Sequence, residues 1–358
     1  MKLKKLFAGI VAVAMMATMA APVFATQPAE TDAPSYTPSD TLTLTKTYTV
    51  ESGSSPAVSF DFTLADDTTK ANDQGATTST PLPTTHSWKL DFAAATAGSA
   101  AQTQNIELDF RTFGFSHVGR YYYVISETNA DAKYPGVTSD TQNVYMTVNV
   151  MNNEAGDGFV YYAVLRKGSN TATEKIEGED AFKNTYNAKD LTISKTVHGD
   201  FGDLGKTFAF KVELDAADGA TYGTATIDYN AANDGVVLPE GATNPETITV
   251  GHDVTIYLKH KGVATISNLP AGVTYTVTEL DSDVAYAVTL DDKSTADLVG
   301  KEASGRIAES NIVNFHNTHN GVVDTGVILD NAPYIALLTI VAAGAVVMIL
   351  KKRRNYED

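Results

Sequence analysis

The chain of 358 residues contains no cysteine, so no disulfide can staple it. It is also poor in cationic residues: 26 Lys and Arg stand against 43 Asp and Glu, for a net charge of −17. That balance repels phosphate backbones and excludes nucleic acid as a partner. It suits a soluble protein that resists association. No sustained helical period precedes residue 332. No glycine-rich phosphate loop and no Ser/His/Asp signature is present, so the sequence offers no motif for an extracellular enzyme. His316 and His319 have a spacing reminiscent of metal ligands. On a strand, however, positions three apart face opposite sides, and no carboxylate cluster or further histidine completes a site. Neither a metal nor a cofactor is expected.

What is present is β-forming. Thr, Val and Tyr abound, short alternating runs recur, and Asp, Asn and Gly separate them. The two ends are patterned differently. Lys2, Lys4 and Lys5 precede an apolar run from Leu6 to Ala21, and Val23-Phe24-Ala25 closes it with a small-x-small-like cleavage site. Residues 1–25 therefore read as a signal peptide. Residues 26–40, rich in Pro, Thr, Ser and Ala, read as a disordered leader. Export sharpens the missing cysteine: disulfides would be permitted outside the cell, so this protein must be stabilised in another way.

At the other end, 19 uncharged residues from Ala332 to Leu350 are long enough to span a bilayer, and Lys351-Lys352-Arg353-Arg354 would remain cytoplasmic. Just upstream lies Val322-Val323-Asp324-Thr325-Gly326. A motif ending in Thr-Gly, a spanning helix and a basic tail together resemble the cell-wall sorting signal of Gram-positive surface proteins. Sortase transpeptidases cut such signals between Thr and Gly, here Thr325 and Gly326. Val322 and Val323 depart from the Leu-Pro that usually opens the motif, which leaves the sortase class open. Hydropathy alone fits an ordinary single-pass membrane protein equally well. Leu82-Pro83-Thr84-Thr85-His86 is a decoy that lacks both the Gly and a following apolar run. Without the three leader lysines and the residues after Thr325, which carry net +1, the remaining segment carries −21.

Between the ends, one pattern occurs twice. In Leu42-Thr43-Leu44-Thr45-Lys46-Thr47-Tyr48-Thr49-Val50 the even positions are apolar except for Lys46. A strand sends alternate side chains to opposite faces, so Lys46 shares the apolar face. Lys195 does the same among Leu191, Ile193 and Val197. Each lysine is followed by a Phe-x-Phe strand, at Phe60–Phe62 and Phe208–Phe210, and then by a Gly-led strand ending in Glu127 or Glu279. Each copy closes on Phe-x-Asn-Thr, at 182–185 and 315–318. Parity puts Glu127 on the face of Tyr123 and Ile125, and Asn184 on that of Phe182. It puts Glu279 with Tyr275 and Val277, and Asn317 with Val313 and Phe315. The fold class expected is all-β: two tandem immunoglobulin-like β-sandwich domains, residues 41–188 and 189–320, between the signal peptide and a sorting signal over 321–358 with its transmembrane helix at 332–350.

Each domain thus points one Lys, one Glu and one Asn inward. Burial lowers a lysine pKa and raises a carboxyl pKa. A neutral amine is a nucleophile. A protonated Glu can donate to the Asn carbonyl and then pass protons to departing ammonia. The expected product is a Lys–Asn amide: Lys46 to Asn184 with Glu127, and Lys195 to Asn317 with Glu279. Each bond forms once, so this is self-processing and not enzymatic turnover. The other reading of the same trio is a buried Lys–Glu ion pair beside an Asn bonded to backbone.

These residues, with the sorting signal, resemble a backbone pilin of Gram-positive sortase-assembled pili, the streptococcal type with intramolecular isopeptide domains. The resemblance implies a structural major pilin subunit of the cell surface, membrane-tethered before processing and then covalently polymerised. Its implied partners are sortase, identical subunits, minor or tip pilins and peptidoglycan. It also implies an exposed acceptor lysine ahead of the strand carrying Asn184. Lys175 is the choice, with Lys167 and Lys183 next, because the Tyr-Pro-Lys-Asn pilin motif is absent and Tyr134-Pro135-Gly136 is only a fragment of it. The alternative is a monomeric wall-anchored adhesin or stalk built from the same domains. The stretch from Asp66 to Ala101 has no pattern that assigns it a place.

Overall fold

The computed structural model describes residues 37–71, 80–128, 130–229, 235–280, 285–290, 297–299, 301–307 and 311–321. The signal peptide, most of the leader, the Thr325–Gly326 motif, the spanning segment and the basic tail lie outside them. Among the described residues no helix is long and apolar enough to cross a membrane. They are all-β apart from short 3-10 turns such as Phe110–Thr112 and Gly178–Asp180.

Two units with separate apolar cores follow one another along the chain. In the first, a four-stranded sheet faces a five-stranded one. The strand Thr41–Val50 lies inside the smaller sheet, antiparallel to Gln102–Asp109 and parallel to the last strand, Phe182–Tyr186. In the larger sheet Gly119–Glu127 is the central strand, and Val58–Asp66 lies between it and the edge strand Ser87–Phe92. In the second unit two six-stranded sheets pack together. Its opening strand Ala188–His198 pairs in parallel with its last, Asn311–Thr318, while Phe208–Leu214 and Thr274–Glu279 neighbour each other in the opposite sheet.

Alternation explains the layering. Leu44, Lys46, Tyr48 and Val50 are buried while the intervening threonines are partly exposed. In the last strand of the second unit, Asn311, Val313, Phe315 and Asn317 are all buried. The parallel pairing of first and last strands sets the register that matters: Lys46 lies opposite Phe182 and Tyr48 opposite Asn184. Lys195 lies opposite Phe315 and Val197 opposite Asn317. Lys and Asn therefore sit two positions apart on adjacent strands, on the face that meets the other sheet.

Part of the unassigned stretch from Asp66 to Ala101 is regular after all. Ser87–Phe92 pairs with Val58–Asp66 and buries Leu90 and Phe92 at period two.

The units meet at a polar junction. Asn268, at φ 66°, accepts a bond from the Ser54 backbone N–H at 2.6 Å and donates to the Ser54 and Thr224 carbonyls at 3.2 and 2.6 Å. Asn tolerates this left-handed conformation better than most residues. Gly53 opposite it has φ 73°, and a Cβ there would lie 2.3 Å from the Asn268 side-chain oxygen. The Thr221 backbone N–H also crosses to the Lys133 carbonyl at 2.8 Å. Asn268→Ala strips the clasp and leaves Ser54 groups without their partner, at a cost of about 1–3 kcal/mol. Equilibrium urea unfolding of the variant against the parent chain reads that loss; an unchanged midpoint would remove Asn268 from the junction's energetics.

Candidate functional site

Each unit brings its Lys, Glu and Asn together at the centre of its core. In the first, Lys46 is fully buried, Asn184 nearly so, and the Glu127 side chain has no exposed surface. Lys46 Nζ donates to Glu127 Oε2 at 2.6 Å, and Asn184 Nδ2 donates to the other carboxyl oxygen, Oε1. The second unit repeats the arrangement: Lys195 Nζ lies 2.8 Å from Glu279 Oε2, and Asn317 Nδ2 lies 2.5 Å from Glu279 Oε1. In both, one carboxyl group clasps an amine and a carboxamide across the interface between the sheets.

The Phe-x-Phe strands form the apolar floor of these sites. Lys46 Nζ sits 4.5 Å from the centroid of Phe60 and 5.8 Å from that of Phe62. Lys195 Nζ sits 4.0 Å from Phe208 and 5.5 Å from Phe210. Phe182 closes on Phe62, and Phe315 on Phe210, each with ring centroids 5.0 Å apart. These rings exclude water from the amine. Burial pushes the Lys46 amine down to about 8, against the opposing pull of Glu127. Burial likewise raises the Glu127 carboxyl, although Lys46 and Asn184 both favour its charged form.

One detail differs from the sequence-derived chemistry. The glutamates face the amide nitrogens of Asn184 and Asn317, not their carbonyl oxygens. In the first unit the oxygen is already engaged: the backbone N–H of Asp140 donates to Asn184 Oδ1 at 2.7 Å. Sequence reasoning missed Asp140 because a main-chain donor leaves no residue signature.

The candidate acceptor lysines lie apart from this core. Lys175 is exposed, beside an isolated bridge between Ile176 and Leu165. Lys167 is half-buried and paired with Asp140 at 2.5 Å, and Lys183 is exposed and paired with Asp180 at 2.6 Å. His198 Nε2 lies 3.1 Å from His316 Nδ1, whereas His319 meets the Tyr286 ring edge-on with centroids 5.1 Å apart. Among the described residues no group of three or more His, Cys, Asp or Glu could hold a metal.

Two successive β-sandwiches, each with a Lys–Glu–Asn trio joining its first and last strands through the opposite sheet, define a tandem-sandwich protein with a repeated buried clasp. Residues 42–187, the first sandwich, match the FctA family, described as the Spy0128-like isopeptide containing domain. Residues 189–319 match a separate family, a domain of unknown function, DUF7601. The chain is 29% identical over 331 residues to a pilin of Streptococcus pyogenes serotype M1, covering 87% of this chain and 90% of that protein. The crystal structure of the major pilin from Streptococcus pyogenes superposes with a TM-score of 0.52 at 26% identity, over 78% of this chain and 99% of that one. A further match, 32% identical over 140 residues, is to the pilus tip adhesin Cpa of Streptococcus pyogenes, covering 39% of this chain and 18% of the adhesin. The chain is thus homologous to streptococcal-type backbone pilins along most of its length.

An Asn184→Ala variant keeps Lys46 as a free amine. Its folded pKa of about 8 lies below the ordinary 10.5, so between those values the unfolded chain holds the extra proton and the folded state gains stability as pH rises. Glu127 acts in the opposite sense in acid: its raised pKa favours the fold at low pH, and that contribution is lost as pH climbs through it. Nitrogen-15 NMR of the Lys46 amine in this variant should show a titration near 8; a midpoint near 10.5 would mean that the amine is not desolvated.

Proposed function

We propose that this chain is the shaft subunit of a surface pilus, and that each sandwich is locked by a self-generated Lys–Asn amide. The observation that carries the reading is the doubled clasp, with one carboxyl group holding an amine and a carboxamide of adjacent parallel strands in an apolar core.

The chemistry follows from the contacts. The amine of Lys46 in its neutral form attacks Cγ of Asn184. Glu127, in contact with both nitrogens, takes a proton from the attacking amine and delivers it to Nδ2. The Cγ–Nδ2 bond breaks, ammonia leaves, and the Lys46–Asn184 amide remains. Lys195, Glu279 and Asn317 perform the same steps. Contact between the groups supplies the rate advantage of proximity. Each bond forms once, so the protein is not an enzyme in the turnover sense.

The links run from Lys46 to Asn184, 138 residues on, and from Lys195 to Asn317, 122 residues on. If the chain-entropy estimate for disulfides carries over, each stabilises the fold by roughly 4–5 kcal/mol. That is a large part of a domain's usual net stability, and it supplies what the missing cysteines do not.

Polymerisation and anchoring rest on the C-terminal motif. In this reading sortase cuts between Thr325 and Gly326 and passes the Thr325 acyl group to Lys175 of the next subunit, or to peptidoglycan at the base. Minor or tip pilins complete the fibre. The shorter match to a tip adhesin favours a second reading, a wall-anchored adhesin that does not polymerise. The pilin match spans far more of the chain.

The intact mass of the secreted, folded chain should fall short of its sequence mass by two ammonia molecules, and Glu127→Ala and Glu279→Ala should each restore one. A full wild-type mass would reject the cross-links. On the native cell surface, Lys175→Ala should collapse an SDS-resistant ladder to monomer. A ladder that survives moves the acceptor to another lysine, and the absence of any ladder from wild-type cells favours the adhesin.

A further inference from the structure

The two clasps are alike in their glutamates and unlike at the carbonyl oxygen. In the first sandwich Asn184 Oδ1 receives the Asp140 backbone N–H at 2.7 Å. A backbone N–H can only donate, so this contact fixes which end of the carboxamide is oxygen and turns the leaving nitrogen toward Glu127. Asp140 is itself held in place. Its side chain accepts from Lys167 Nζ at 2.5 Å and from the Lys183 and Gln142 backbone N–H groups, each at 3.2 Å. The preceding residue is pinned as well: the Ser139 N–H donates to Asp131 at 2.9 Å, and the Ser139 hydroxyl accepts from the Ala130 N–H at 3.1 Å.

The second sandwich lacks this feature among the described residues. Asn317 Oδ1 is buried without a hydrogen-bond partner. The cause is visible in the pairing. In the first sandwich the short strand beside the last one, Val137–Thr138, stops after pairing with Tyr186 and Thr185, which frees the chain at Asp140 to turn its N–H into the core. In the second, Ala287–Leu290 continues its ladder past Asn317 to Phe315.

When an amine adds to the carboxamide, negative charge develops on the carbonyl oxygen. A donor fixed against that oxygen in a water-excluded site stabilises the transition state and needs no reorganisation. Because each Glu sits at the leaving nitrogen, it is badly placed to supply this donor. We propose that the Asp140 backbone N–H is the oxyanion donor for the Lys46–Asn184 bond, and that the Lys195–Asn317 bond, without a counterpart, forms more slowly. The Asp140 N–H stabilises the charged oxygen of the tetrahedral adduct. The electron pair then returns to the carbon, the Cγ–Nδ2 bond breaks, and Glu127 hands its proton to the departing ammonia. No other reactant is required.

This inference rests on the cross-linking reading above. The test uses the full chain assembled by chemical synthesis and ligation in urea, so that it has never folded, then refolded by dilution and quenched in acid at intervals. Digestion and peptide mass mapping then follow each cross-link separately. Loss of one oxyanion donor slows comparable reactions by on the order of 10²-fold, and the first bond should lead the second by about that factor. Replacing residue 140 with the α-hydroxy acid analogue of aspartate removes the N–H while keeping the side chain, and should slow the first bond to about the rate of the second. Equal rates in the wild-type chain, a faster second bond, or an ester variant as quick as its parent would each overturn the donor assignment alone. If the ester variant does not refold, the wild-type ratio still decides. Failure of either bond to form at all would strike the underlying reading instead.

Discussion

In each sandwich, three polar side chains are buried with little but each other to satisfy them. An ammonium in such a place is expensive, and a lone carboxylate equally so. The phenylalanine floor makes desolvation severe enough to bring Lys46 to about 8. In the first sandwich burial drives both the Lys46 amine and the Glu127 carboxyl toward their neutral forms, and the arrangement suits condensation better than it suits a permanent ion pair. In the proposed reaction, expelling ammonia would replace the buried amine and carboxamide with a neutral amide, so the same burial that is costly beforehand would favour the product.

Strand parity made much of this readable in advance. Lys46 and Lys195 stand out because their neighbours at i±2 are apolar, and the glutamates and asparagines were found by the same test. The Phe-x-Phe repeats were visible as landmarks, but their role as the floor beneath the amines was not. Other features had no local signal. Parallel pairing of Thr41–Val50 with Phe182–Tyr186 joins segments far apart in sequence, and alternation says nothing about partners. The carboxamide orientation depends on a main-chain donor in a loop. The strand Ser87–Phe92 has only three inward positions, too few to distinguish it from its irregular surroundings. Asn268 looks like any strand-end asparagine until its positive φ and its bonds to Ser54 are known.

The halves also illustrate how far a shared core constrains a fold. They match different families, pair their outer strands differently and carry sheets of different size. What they share is confined to the middle: the lysine on the opening strand, the glutamate across from it, the asparagine on the closing strand and the aromatic rings between. Geometry there is retained while the periphery differs, and the one visible difference within the clasp, the Asp140 contact, comes from that periphery.

The parallel pairing of first and last strands has a consequence for a molecule pulled from both ends. With the amides in place, pulling on the two chain ends leaves everything between Lys46 and Asn184, and between Lys195 and Asn317, in closed rings outside the path of tension; a fibre joined through Lys175 would load only residues 175–184 of the first ring. The stretch from Asn184 to Lys195 is all that connects the two rings, about 40 Å when taut at the usual rise per residue, and much of it is already extended as strand in the native fold. Such a chain has almost no hidden length to release, so a thread made from it would transmit a tug nearly undiminished instead of yielding to it.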